Sequence, residues 1–411
     1  DIGRNPCPIC QTRHMAKDIN PPRGMRDFLP AEKAKRERVL GVIRDVFSAY
    51  GFQEVETPAL ENLDRLTSGQ GGDNEKLAYR VMKRGAELES AIESLSSADE
   101  LADLGLRFDL TVPLTRFYAT NRSSLPTVFK AIQMGPVWRA ERPQKGRYRQ
   151  FVQCDIDIIG DDSVVAEVEL VTATIAALAE LGLGDSMIRV NHRSLLTSLI
   201  SGFGVSEDGL GKAMIIIDKL DKIEASGVVE ELQEAFGQEV AAKAETWLST
   251  VDTSVIPDVL SELFSAVEKG KLRFDPTLVR GMGYYTGTIF EIEHPGSGLA
   301  IGGGGRYDGM VGKWLGTDVP AVGISLGFDR VVELFEDPAK PAGVVLVLED
   351  KSVLAKALGF QKELIAKGLQ VRLEVRPKRL NLLLDSMAEN GFTQFALVDA
   401  STTALELKPI A

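Results

Sequence analysis

Between residues 39 and 50 the chain places Val39, Leu40, Ile43, Val46, Phe47 and Tyr50 at helical spacing, with charges on the opposite face. Gly51 stands where such a helix stops. FQEVETP then predicts a strand ending at Pro58. At 106–119 the period drops to two, with Arg107, Asp109 and Thr111 alternating with Phe108 and Leu110. This predicts a strand that becomes a helix after Pro113. A second alternation puts Gln153, Asp155 and Asp157 on one face of a strand and Cys154, Ile156 and Ile158 on the other. Residues 163–182 are an apolar-periodic helix closed by Gly182, and the polar, Ala/Ser/Glu-rich stretch 84–103 reads as a surface excursion.

From 193 to 272 the pattern is helical, with few aromatic residues, and predicts an inserted helical domain. Strand signals return in GTIFEIEH, the glycine-rich AIGGGGRYDGM and AVGISLG, which leads into the helix FDRVVELF. EDPAKPAG, at 336–343, is a linker. Beyond it VVLVL, a helix over about 353–367, VRLEV, a helix near 379–390 and FALVD alternate, which predicts a small βαβαβ domain, with ALELK as a last short strand. The chain thus divides into a lead at 1–18, core segments at 19–192 and 273–335, an insertion at 193–272 and a small α/β domain at 343–411.

Length and charge narrow the class. The 411 residues suit two or three domains. A net charge of -12 argues against broad non-specific nucleic-acid binding but leaves room for a specific RNA held by a local basic surface. Residues 343–411 carry nine Lys/Arg and eight Asp/Glu, a slightly basic balance with its densest site at Lys378 and Arg379. No apolar run approaches the ~18 residues of a membrane helix, and the N-terminus lacks the apolar core of a signal peptide, so a cytoplasmic protein is expected. Cys7, Cys10 and His14 supply three zinc-type ligands without a visible fourth. His14-Met15 reads as the junction of an expression tag with a native start, so no metal site is expected there.

In a chain this acidic, Arg139, Arg142, Lys145, Arg147 and Arg149 crowd five cations into eleven residues. Such a group repels itself unless an anion sits among it. Further polar clusters lie at Arg107, Asp109 and Thr111, at Glu141, Gln153 and Asp157, at Arg280, Tyr284 and Tyr285, and at Arg330. The planar fork of arginine suits phosphate, and several arginines around one triphosphate stabilise charge at a phosphorus under attack. Each cluster also has a plain structural reading. The loop could be solvated surface, the aspartates hydrogen-bonded structural carboxylates, the tyrosines core or interface aromatics, Arg330 a helix-start ion pair, and Gly302–Gly305 a tight turn. The glycines match neither a P-loop nor a dinucleotide fingerprint.

Taken together the motifs resemble class II aminoacyl-tRNA synthetases, and within them the histidyl-tRNA synthetase family, from about Pro21 onward. PPRGMRDFLP with the helix and strand ending at Pro58 is similar to the lead-in and motif 1, VWRAERPQKGRYRQFVQCDIDIIG to motif 2, RGMGYYTGTIFE and GGGGRYDGM to the histidine loops, and PAVGISLGFDR to motif 3. The resemblance implies an α+β catalytic domain on an antiparallel sheet, a helical insertion and a small C-terminal α/β domain that reads the anticodon. That last domain is expected to lack or shorten its final strand and helix.

The resemblance also implies roles. Arg139 would contact the α-phosphate of ATP, Glu141 the adenine end, Arg147 the outer phosphates and Arg330 the γ-phosphate. Asp109, Thr111 and Gln153 would receive the histidine amino and carboxylate groups, and Asp157 and Tyr285 the imidazole nitrogens, with Tyr284 and Tyr307 lining the pocket. Arg280 would sit between the histidine carboxylate and the α-phosphate. ATP would bring its own Mg²⁺, no tightly bound cofactor is expected, and the partners would be histidine, ATP, tRNA(His) and a second copy of the chain. Gly283 stands where many relatives have Asp, and Asp157 where bacterial relatives often have Glu. Two other readings share this core: a catalytically silent histidine-binding regulatory paralogue of ATP phosphoribosyltransferase, and a tRNA-independent histidine-activating ligase.

Overall fold

A computed structural model describes residues 19–67, 76–144, 146–280, 285–337 and 343–410. Cys7, Cys10, His14, Lys145, Gly283 and Tyr284 lie outside the described residues. The chain forms two units, one of residues up to Asp27 and Val42–Leu334, the other of Phe28–Gly41 and Phe335–Ala411. The helix Pro30–Ala49 buries Val39, Ile43 and Phe47, three of the six positions its spacing singled out, while Tyr50 falls just beyond its end and is exposed.

In the first unit the strands are β1 (Gln53–Glu54), β2 (Leu60–Asn62), β3 (Arg80–Met82), β4 (Ala102–Leu106), β5 (Phe129–Trp138), β6 (Gln150–Ile159), β7 (Met187–His192), β8 (Leu272–Phe274), β9 (Thr288–Glu293), β10 (Gly302–Arg306) and β11 (Ala321–Gly327). Eight of them form one sheet in the order β1-β5-β6-β11-β10-β9-β7-β8. It is antiparallel from β5 to β7, and β1 and β8 join its edges in parallel.

One local expectation is corrected, and two stretches gain definition. The strand at 106–113 ends at Leu106 and the helix begins at Thr111, so Arg107 and Asp109 lie in the connection rather than on one strand face. The excursion at 84–103 is mostly exposed, as expected, and contains a helix, Gly85–Glu93, before running into strand β4, which pairs β2 and β3 in a small sheet. The glycines 302–305, which lie among the returning strand signals, form strand β10 in the middle of the large sheet rather than the tight turn of their plain structural reading. The insertion is helical as expected, from Arg193–Phe203 to Asp258–Ala266, and its Leu196, Ile200 and Phe203 belong to the same core as Phe108, Phe129 and Tyr307.

One buried ion pair ties the sheet to its covering helix. Arg306, on β10, donates to both oxygens of Glu167 on the Val164–Glu180 helix, at 2.7 and 2.6 Å. Both side chains are nearly enclosed, so removing one partner strands a desolvated charge. Glu167→Ala is expected to destabilise the protein by about 3–5 kcal/mol, measured by denaturant unfolding.

In the second unit β12 (Gly343–Leu348) lies between β13 (Gln370–Val375) and β14 (Phe392–Val398), parallel to both, with β15 (Lys408–Pro409) antiparallel at the edge. Val344, Leu346 and Leu348 pack with the Leu354–Ala366 helix on one face, while Val345 and Val347 pack with the Leu380–Glu389 helix on the other. The βαβαβ pattern holds, but ALELK is strand only at its last residue, Lys408, which continues into Pro409.

Candidate active site

A cavity of about 420 Å³ opens over the carboxylate-bearing face of β6. It is lined by Asp109, Thr111, Arg139, Glu141, Arg147, Gln153, Asp157, Arg280, Tyr285, Tyr307 and Arg330, which is every described residue assigned a role from the sequence. The structure therefore brings together side chains from five separate segments. Arg107 is not among them. Its guanidinium is buried in donating to the carbonyls of Thr57 at 2.7 Å and Pro136 at 2.9 Å, so it braces the fold.

Part of the cavity wall is acidic and buried. Asp109 is 1% exposed, and its Oδ1 accepts from the backbone N–H of Val112 at 3.1 Å, which fixes it at the start of the Thr111–Asn121 helix. Tyr307 donates its hydroxyl to Oδ1 of Asp157 at 2.6 Å. The other oxygen, Oδ2, is buried and has no hydrogen-bond partner among the described residues, as is Oε1 of Gln153. The Gln153 amide is turned by its Nε2, which donates to Ser325 Oγ at 3.1 Å and to Asp155 Oδ2 at 3.3 Å. Two acceptors thus point at a space that would suit a donor-rich ligand.

Electrostatics sharpen this. Burial, opposed by the Tyr307 hydrogen bond and aided by Asp109, raises the Asp157 carboxyl to about 7. Burial and the neighbouring Asp157 push Asp155 well above the usual carboxylate range. Three close carboxylates in a dry wall are costly while empty and favour a cationic ligand.

The same wall also carries cations. Arg139 donates from Nε to the Phe108 carbonyl at 3.0 Å and lies 5.1 Å from the Phe151 ring centroid. Arg330 donates to the Ala300 carbonyl, and its guanidinium is held below the usual arginine range by burial first and then by Arg147, with Arg280 adding to the repulsion. Among the described residues the Arg147 guanidinium pairs with Glu141 alone, at 3.4 Å, a half-exposed pair of little strength. Guanidinium groups set against one another in this way are relieved by a polyanion. Arg149, by contrast, is spent on the carbonyls of Glu141 and Arg23.

The glycines of β10 and β11 make the room. A Cβ at Gly303 would stand 2.7 Å from Arg280 Nη1 and 2.7 Å from the Phe290 carbonyl oxygen. One at Gly305 would meet the Tyr285 ring at 2.8 Å, and one at Gly323 would overlap Asp157 Oδ1. Gly303→Ala is expected to cost about 1–3 kcal/mol of stability and to displace Arg280. Denaturant unfolding together with steady-state rates checks both effects.

Sequence reasoning gave no role to Asp155, Ser325, Asp329 or Arg26. Asp155 was legible, since it shares the period-two face of Gln153 and Asp157. Ser325 faces Asp155 across the β6–β11 register, which no local pattern shows. Arg26 bonds Asp329 at 2.6 Å and covers the Tyr148 ring at 3.4 Å, joining the lead-in to the motif 2 loop.

Comparison with known proteins identifies the family. A family model described as Histidyl-tRNA synthetase matches residues 24–331. The histidine--tRNA ligase of Leifsonia xyli subsp. xyli (strain CTCB07) is 54% identical over 429 residues, covering 96% of this chain and 99% of that protein. The probable histidine--tRNA ligase of Tropheryma whipplei (strain Twist) is 40% identical, over 93% of this chain and 96% of its own. The crystal structure of histidyl-tRNA synthetase from Nostoc sp. PCC 7120 superposes with a TM-score of 0.78 at 27% identity, covering 96% of this chain and 95% of that one. By its matched motifs, its sheet and its near-full-length relatives, this chain belongs to the histidyl-tRNA synthetase family.

Proposed function

We infer that this chain activates histidine with ATP to histidyl-adenylate and transfers the histidyl group to tRNA(His). One observation carries the reading: a single cavity is lined both by buried carboxylates, Asp109, Asp155 and Asp157, and by the guanidinium groups of Arg139, Arg280 and Arg330. Such a lining suits a zwitterionic, donor-rich amino acid beside a polyphosphate.

The substrate carboxylate attacks the α-phosphorus in line and expels pyrophosphate. It is already ionised near neutral pH, so no general base is needed and catalysis is positioning and charge stabilisation. Arg280 bridges that carboxylate and the α-phosphate, Arg139 holds the α-phosphate, and Arg147 and Arg330 hold the outer phosphates. ATP enters with Mg²⁺ as part of the substrate, with Glu141 near its adenine end. Asp109, Thr111 and Gln153 take the amino and carboxylate groups. Asp157 Oδ2 accepts one imidazole N–H, its carboxylate steadied by Tyr307, while Tyr285 addresses the second ring nitrogen. A wall that satisfies both ring nitrogens discriminates strongly against apolar analogues. A hydroxyl at the 3′ end of the tRNA then attacks the mixed anhydride and releases AMP.

The unit ending in residues 343–411 is assigned to anticodon contact, the chain to a homodimer, and its compartment to the cytoplasm. Among the described residues no helix is long and apolar enough to cross a membrane. Charging of tRNA(His) with labelled histidine tests the reading. Adenylate formation without charging would favour the tRNA-independent ligase, and loss of both would favour the regulatory paralogue.

A further inference from the structure

Arg280 does not stand alone. Glu291 lies on β9, directly opposite Arg189 on β7 and opposite Gly303 on β10. Its two oxygens are divided between two guanidinium groups. Oε1 accepts from Arg189 Nη1 at 2.8 Å, and Oε2 accepts from Arg280 Nη1 at 3.1 Å. Arg189 is fixed in turn by Asp275, which accepts from its Nε at 2.8 Å, and by Glu293 at 3.2 Å. The Arg189 side chain is 10% exposed and that of Glu291 18%, so the chain of pairs is largely shielded from solvent. Arg189 and Glu291 both stand on regular strand, and the Arg280 guanidinium rests over Gly303, where a Cβ would stand 2.7 Å from its Nη1.

We propose that Glu291, locked by Arg189, is the positioning residue that sets the Arg280 guanidinium over Gly303 for the adenylation step. This rests on the reading of Arg280 as the cation between the histidine carboxylate and the α-phosphate. An arginine side chain is long and rotamer-rich, and a charge held in place before substrate arrives requires no reorganisation during the reaction. A carboxylate offers one acceptor oxygen to each guanidinium. Glutamine in its place has one acceptor and one donor, so it can serve Arg189 or Arg280 but turns an N–H toward the other. Arg189 also balances the Glu291 charge, which would otherwise repel phosphate from the same wall.

The test is Glu291→Gln in the full chain, with histidine-dependent exchange of pyrophosphate into ATP read as kcat and KM, beside thermal unfolding. The expected result is a fall in kcat of about tenfold or more, with the KM for histidine within about threefold and little change in Tm. A pair that merely braced the sheet edge would lower Tm and leave kcat alone. Arg189→Lys is the second variant, because it keeps the charge but loses the fork that spans Glu291 and Asp275. It is expected to lower kcat in the same direction, again at unchanged KM for histidine. Normal kcat in both variants overturns the positioning role while leaving the function of the site intact. Absence of exchange in the unsubstituted protein would remove the reading of Arg280 and this inference with it.

Discussion

Arg280→Ala is expected to lower the rate of histidine-dependent adenylation by about 10²–10³-fold, the usual consequence of deleting one preorganised charge at a reacting centre. Stability should barely change. The side chain is a quarter exposed, and its partner Glu291 keeps Arg189 when Arg280 is gone. The loss should fall on kcat more than on the KM for histidine, because the bridging position is realised fully only as charge develops on the α-phosphate. Lysine at the same position should recover part of the rate, since it restores a point charge but not the two-pronged donor. Steady-state exchange kinetics beside thermal unfolding checks this. A near-normal kcat would remove Arg280 from the centre of the mechanism.

Asp157→Asn is expected to act on specificity and on stability in opposite directions. The asparagine can still accept from Tyr307, but it no longer offers a charged acceptor to the imidazole. A fall of about 10²–10³-fold in kcat/KM for histidine is expected from loss of a buried, charge-assisted hydrogen bond. The ligand-free protein, in contrast, should become more stable at pH 8. Asp157 titrates at about 7 in the fold and near the ordinary value of ~3.9 when unfolded. Between those values the folded state holds a proton that the unfolded state has released. Its stability therefore falls as pH rises through that window, and above about 7 the whole penalty is present. Asparagine has no such penalty, and it also relieves Asp155, whose carboxyl Asp157 helps to push up. The variant should show the higher Tm at pH 8, and the gap should narrow toward pH 5. A variant with a lower Tm at pH 8 would contradict the buried-charge account.

These expectations depend on features that the sequence revealed unevenly. Gln153, Asp155 and Asp157 were legible because a strand alternates, and ten regular residues of β6 kept the alternation intact. Arg107 and Asp109 show the opposite case. The same alternation was present, yet the strand stops at Leu106 and Arg107 is drawn to the Thr57 and Pro136 carbonyls. The four glycines of β10 could not be interpreted locally, because what matters there is the space they leave for Arg280 and Tyr285 from elsewhere in the chain. The Arg189–Glu291 pair is set by the register of β7 against β9 across the whole helical insertion, and no sequence period encodes that. The small sheet β2-β4-β3 was missed because its central strand, ADLGL, is short and weakly apolar. What resemblance supplied was the grouping of distant motifs, and the cavity then gave that grouping a geometry.

The most direct measurement is exchange of labelled pyrophosphate into ATP by the purified chain, with and without histidine. The expected result is exchange that requires histidine, is not supported by apolar amino acids of similar size, and is lost in Arg280→Ala. Exchange that ignores histidine, or none at all from folded protein, would contradict the assignment of this cavity to histidine activation.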